Sequence, residues 1–200
     1  MNNYLNFLFL TFVLVIIPGP DYILITKNTL SYGKWAGVKT IFGTCTALIC
    51  HTLFSIIGLS ALIVKSAFLF SIIKYIGAGY LIYLGIKSLF SKSKSEQTTF
   101  SDTKRNFYSQ GLVTNLFNPK IAIFFLTFLP QFVDSSTGSW VHFSILGCTY
   151  IVVTFTIFGL YTLLLSRIRE FFESEKTQKI INKSAGVILL FFGVKLILSE

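Results

Sequence analysis

Charge is what this sequence has least of. Charged residues make up 12% of it, about half the share usual in soluble domains. Hydrophobic residues make up 53%, Phe alone occurs 22 times, and mean hydropathy is +0.71. That balance excludes an ordinary soluble domain and predicts a membrane protein. The opening Met-Asn-Asn-Tyr lacks the basic stretch of a secretory signal peptide, so the first apolar segment is expected to be retained. Cys45, Cys50 and Cys148 lie inside apolar segments with no CxxC spacing. They read as small buried side chains rather than as a disulfide or zinc set. HExxH and serine–base motifs are missing too, which argues against an enzyme. Neither a cofactor nor a bound metal is expected.

What is present are six apolar runs of membrane-spanning length: Tyr4–Thr26, Val38–Val64, Ala67–Phe90, Phe107–Val133, Val141–Leu165 and Ile180–Leu198. One polar linker, SKSKSEQTTFSDTKRN at 91–106, divides the chain nearly in half. The loops after the odd-numbered runs hold Lys27, Lys34 and Lys39, then Lys87, Lys92, Lys94, Lys104 and Arg105, then Arg167, Arg169, Lys176, Lys179 and Lys183. The opposite side holds only Lys65, Lys74 and Lys195. By the positive-inside rule those basic loops face the cytoplasm and both termini face out. The net charge of +9 is therefore a topology signal and not a nucleic-acid footprint.

The two halves echo each other about one hundred residues apart. Asn6-Phe7 answers Asn106-Phe107, Pro20-Asp21 answers Pro119-Lys120, and Gly58-Leu59 answers Gly159-Leu160. AGYLIYLGIK at 78–87 answers AGVILLFFGVK at 185–195. Three spans per half is an odd number, so the second half must be inverted. The expected fold is all-α and integral to the membrane: six transmembrane helices as two inverted three-helix repeats, about 1–90 and 107–200, in one domain over 1–200. Inverted repeats are typical of secondary transporters.

The same comparison picks out the site. Pro18 and Pro20 lack amide protons and their rings clash with preceding carbonyls, so the first helix should break there. Backbone groups freed in lipid need partners from protein or from water in a cavity. Asp21 adds about 2.5–3.5 kcal/mol at mid-membrane on the insertion scale. The matching place in the second half, LFNPKIAIFF, carries Asn118, Pro119 and the cation Lys120. The fourth helix should break as well, and broken helices meeting near the midplane form transporter substrate sites.

IPGPDYILITKNTLSYGKWAGVKTIFGTCTALICHTLFSIIGLSAL resembles the first half of the LysE-type amino-acid exporters, particularly the RhtB-like branch. GLVTNLFNPKIAIFFLTFLPQFV resembles that family's second signature, with its Asn-Pro-Lys and its Pro-Gln-Phe ending. The resemblance runs from about residue 4 to the C-terminus. It departs from the family at Trp35, where relatives often carry a second basic residue. It implies an efflux carrier of the bacterial inner membrane that exchanges protons for amino acids or related compounds. The partners are then a small-molecule substrate and the bilayer, and a homodimer is compatible with so small a carrier.

On that basis Asp21 is the expected partner of a substrate ammonium or of a proton. Lys120 can hold the carboxylate or neutralise Asp21, with a purely structural ion pair as the alternative. Pro18, Gly19, Pro20 and Pro119 shape the breaks, whose helix N-termini favour a carboxylate; a simple kink is the alternative. Asn115, Asn118 and Gln131 supply neutral hydrogen-bonding groups, with helix packing as the alternative for Asn115. His51 is either a proton relay or a neutral histidine bonded within the bundle. Gly77, Gly79, Gly85, Gly186 and Gly193 are expected to permit close helix contact. Transport of another small solute or a metal cation, or six-span redox chemistry, remain as other readings. A single buried carboxylate is a poor metal site, and Cys45 and Cys50 do not face each other on one helix.

Overall fold

The computed structural model describes residues 2–65, 67–90, 106–133 and 139–198, and all regular structure among them is helical. In chain order it runs α1 (Asn2–Ile16), α2 (Pro20–Tyr32), α3 (Lys34–Lys65), α4 (Ala67–Phe90), α5 (Phe107–Leu116) and α6 (Pro119–Ile123). A π-helical turn (Phe124–Phe128) and a 3-10 turn (Leu129–Phe132) follow, then α7 (Ser139–Glu173) and α8 (Glu175–Leu198). Residues 91–105 of the polar linker lie outside the described residues, as do the side chains of Lys65, Lys74, Arg167 and Arg169.

Two single helices contain stretches long and apolar enough to cross a membrane, Lys34–Ile57 in α3 and Trp140–Leu165 in α7. Two bent pairs meet the same test when each is taken as one span: Tyr4–Ile16 with Pro20–Tyr32, bent by 53°, and Phe107–Leu116 with Pro119–Phe132, bent by 50°. Both bends fall at prolines. A helix N–H donates to the carbonyl four residues back, and Pro18 and Pro20 have none to give to Leu14 and Ile16. Pro20 instead opens α2 with Gly19 before it, and Pro119 opens α6 with Asn118 before it. Proline at the first helical position is well placed, because its missing N–H would be unsatisfied there anyway.

The rest of the packing follows from where small residues fall. α3 lies at the centre, in contact with α2, α5 and α7. Its closest neighbour is α5: a Cβ at Gly43 would meet the carbonyl of Tyr108, and a Cβ at Gly111 would meet the carbonyl of Thr40. The two helices therefore touch backbone to backbone. α4 and α8 form a second close pair, where a Cβ at Gly85 would come 2.9 Å from the Gly186 carbonyl and one at Gly193 would come 3.2 Å from that of Ala78. Gly79, expected at such a contact, faces open space, and the surroundings of Gly77 are outside what is described. Gly33 ends α2 with φ +87° and turns the chain into α3, a conformation glycine adopts without Cβ strain.

Large apolar side chains also cover the outside. Ile57, Phe117, Phe155 and Leu163 are exposed, and only 33% of the spanning stretch of α7 is buried. Such a surface suits hydrocarbon and would be a liability in water. The cysteines correct one expectation: Cys45 is buried, Cys50 is half-buried, and Cys148 is exposed on the outer face of α7. In lipid an outward thiol costs little, so an apolar segment does not by itself bury every residue in it. All three are free thiols.

Candidate functional site

The two helix breaks meet and brace each other. Asp21, in the first turn of α2, is buried. Its Oδ2 accepts hydrogen bonds from Asn115 Nδ2 at 3.1 Å and Asn118 Nδ2 at 2.8 Å, both from the second break. Lys120 reaches the other way. Its Nζ donates to the carbonyls of Leu14 at 3.0 Å and Ile17 at 3.4 Å, at the end of α1. The Leu14 carbonyl is the one that Pro18 cannot serve, so the lysine ammonium stands in for the missing N–H. A cation there also suits the negative end of the α1 dipole. Gly19 leaves room for it, since a Cβ would come 3.3 Å from Lys120 Nζ.

Asn118 caps the second break. Its Oδ1 accepts from the Lys120 backbone N–H at 3.1 Å and caps α6, while its Nδ2 binds Asp21. The Asn-Pro-Lys order thus has a physical reading: a cap, a residue without N–H, and a cation directed across the break. His51 is buried beside them, and its Nε2 donates to the Asn115 carbonyl at 3.3 Å. A carbonyl can only accept, which fixes the proton on Nε2. Its ring also lies 5.5 Å from that of Phe125.

Gly19, Asp21, Asn115 and Lys120 line one cavity, closed by Leu14, Tyr22 and Leu48 and, from α7, by Tyr150, Thr154 and Phe158. Its volume is about 10 Å³, the space of a single water molecule, so nothing larger than water fits it as it stands. Polar atoms in its walls that are buried without a hydrogen-bond partner include Asp21 Oδ1, Asn115 Oδ1, Tyr150 Oη and Thr154 Oγ1.

Gly19, Asp21, Asn115 and Lys120 of the sequence-derived set therefore come together around the cavity, with Asn118 bonded to Asp21 beside it. Pro18, Pro20 and Pro119 set the breaks. Lys120 and Asp21 bind backbone and amides of the opposite break rather than each other. Gln131 stands apart in the 3-10 turn, where its Nε2 donates to the Thr127 carbonyl at 2.6 Å. That bond satisfies a carbonyl where the helix winds from π to 3-10 geometry at Pro130. Tyr150 and Thr154 were missed. A tyrosine followed four residues later by a threonine inside an apolar span was the available signal, and other tyrosines in the chain look the same. Among the described residues no group of three His, Cys, Asp or Glu comes together as a metal site would need.

The chain is similar to proteins of known name along nearly all its length. An uncharacterised membrane protein of Bacillus subtilis, YrhP, is 36% identical over 98% of both chains. The homoserine/homoserine lactone efflux protein of Salmonella typhimurium is 30% identical over 92% of this chain and 90% of its own. The leucine efflux protein of Salmonella choleraesuis is 28% identical over 97% of this chain and 94% of its own. No solved structure matches. Residues 12–200 match the LysE type translocators, so its activity is translocation at a membrane rather than enzymatic catalysis, and the chain belongs to the LysE family.

Proposed function

We propose that this protein exports amino acids or their derivatives from the cytoplasm by exchanging them for protons, with alternating access across the bacterial inner membrane. The observation that carries this reading is Asp21 Oδ1, a buried carboxylate oxygen without a partner, at the meeting of two broken helices. A carboxylate so placed suits an ammonium or a proton, and one group that takes either in turn couples their movements. The relatives named for homoserine, homoserine lactone and leucine efflux support an amino-acid-like cargo. Six spans in two inverted repeats, with both termini outside, fit the echoing breaks and the basic loops. Each proton moving inward then contributes about 2.3 kcal/mol per 100 mV of membrane potential.

The test is counterflow and pH-driven uptake in proteoliposomes, with labelled homoserine, threonine, leucine and lysine. Wild type is expected to exchange at least one of them and to accumulate it when a pH gradient is imposed. Asp21→Asn should abolish accumulation. Normal pH-driven accumulation by Asp21→Asn would remove Asp21 from the coupling step, and no exchange of any amino acid would sink the exporter reading.

A further inference from the structure

We infer that the carboxylate end of the transported amino acid is held by two hydroxyls of α7, Tyr150 Oη and Thr154 Oγ1, and that Lys120 is a positioning residue that caps α1. This rests on the amino-acid exporter reading and names the residues that its site uses.

The unpartnered atoms of the cavity fall into two chemical sets. Asp21 Oδ1 and Asn115 Oδ1 can only accept when the carboxylate is ionised, so they suit an ammonium. Tyr150 Oη and Thr154 Oγ1 can donate, so they suit a carboxylate. These two acceptors come from the helix breaks and these two hydroxyls from α7, while Tyr22, which also lines the cavity, belongs to α2. An α-amino acid has its ammonium and carboxylate a few ångströms apart, and two walls of opposite hydrogen-bonding character match that pairing.

Thr154 shows the point most clearly. Thr26, Thr40, Thr46, Thr52, Thr127 and Thr149 each donate to the carbonyl four residues back, the usual outlet for a hydroxyl on a helix. Thr154, 2% exposed, leaves that outlet open. Four other buried threonines do the same, and Thr154 alone among them lines the cavity. Tyr150, 1% exposed, packs its ring against Phe124 and Phe125, each 5.2 Å away, and its hydroxyl is left unpaired. Tyr150 and Thr154 are four apart on α7 and so share one face.

Lys120 has less to offer a carboxylate. Two of its three N–H groups already serve the Leu14 and Ile17 carbonyls, and moving it would uncap α1. Neutral hydroxyls donate to an ester carbonyl as well as to a carboxylate, and they lose less than a cation does when the negative charge of the ligand is removed. The site should therefore accept an amino acid and its ester or lactone alike.

The test is competition in counterflow by the full chain in proteoliposomes, with two unlabelled competitors: the transported amino acid and the amine obtained by removing its carboxylate. Tyr150→Phe and Thr154→Val are expected to raise the half-inhibiting concentration of the amino acid about 10-fold and to leave that of the amine within about 2-fold. Asp21→Asn should raise both. Thr154→Val keeps the side-chain volume and carries the test if Tyr150→Phe does not elute as a folded peak in detergent. Equal losses for both competitors, or no loss for either, overturn the inference. So does a Lys120→Met variant that selectively loses the amino acid while Tyr150→Phe and Thr154→Val do not. Wild type that exchanges no amino acid overturns this inference and the exporter reading together. Exchange by wild type with an unchanged amino-acid preference in both α7 variants overturns this inference alone.

Discussion

The two helix breaks are alike in sequence and differ in how they are held. The second caps its own helix start, with Asn118 accepting from the Lys120 N–H. The first has Gly19 before its proline, with no side-chain cap, and the end of α1 is satisfied by Lys120 from the other half. One break caps its own helix start, and the other takes its cation from the opposite half. Losing Lys120 should therefore unsettle the end of α1 more than it unsettles the α6 cap.

Removing the shared cation should have the largest effect. Lys120→Met strips the donor from two carbonyls at once, at about 1–3 kcal/mol for each buried group left unpaired. The expected result is a lower melting temperature in detergent, with faster hydrogen exchange at the α1–α2 junction than at α5–α6. Equal exchange at both junctions would refute the asymmetry. Asn118→Ala comes next, because it removes both the α6 cap and one Asp21 partner. A lost cap costs about 1 kcal/mol, and transport should fall with stability. Asn118→Ser keeps a capping oxygen, so it should recover stability but not transport; recovery of both would mean that the Asp21 bond is idle.

His51→Ala should be milder, since the Asn115 carbonyl also accepts the Asn118 N–H at 3.0 Å. A few-fold loss of transport, restored by His51→Gln, fits a hydrogen-bond donor. Failure of glutamine to restore it, together with lost pH-driven accumulation, would make His51 the proton relay. Gly19→Ala is the smallest: Lys120 Nζ need shift only a few tenths of an ångström, and stability should change by less than about 1 kcal/mol. A loss as large as that of Lys120→Met would show that Lys120 has no room to yield.

The sequence disclosed the breaks because their signals are local: proline without an N–H, and charge inside apolar runs. Asp21, Asn118 and Lys120 stand out for that reason. Partners were harder to read. The opposite charges of Asp21 and Lys120 pointed to each other, but a proline-freed carbonyl competes for the lysine, and that competition is visible only once Leu14 and Ile17 are placed. Tyr150 and Thr154 were illegible for another reason. Lipid is as apolar as the bundle interior, so a span has no polar face to show which side is buried. Tyr150 at 1% exposure and Tyr75 at 55% look alike in the sequence. The π turn before Pro130 left no sign beyond the proline itself.

The contact of Gly43 with Gly111's helix has a mechanical consequence. α3 belongs to the first half of the chain and α5 to the second, yet at Gly43 and Gly111 their main chains are seated directly against each other. At those two glycines the contact cannot loosen by repacking rotamers, because backbone meets backbone there. It acts as a rivet across the seam between the halves. In the alternating access proposed above, α3 and α5 are expected to move as one body, joined across the line that divides the two halves of the sequence.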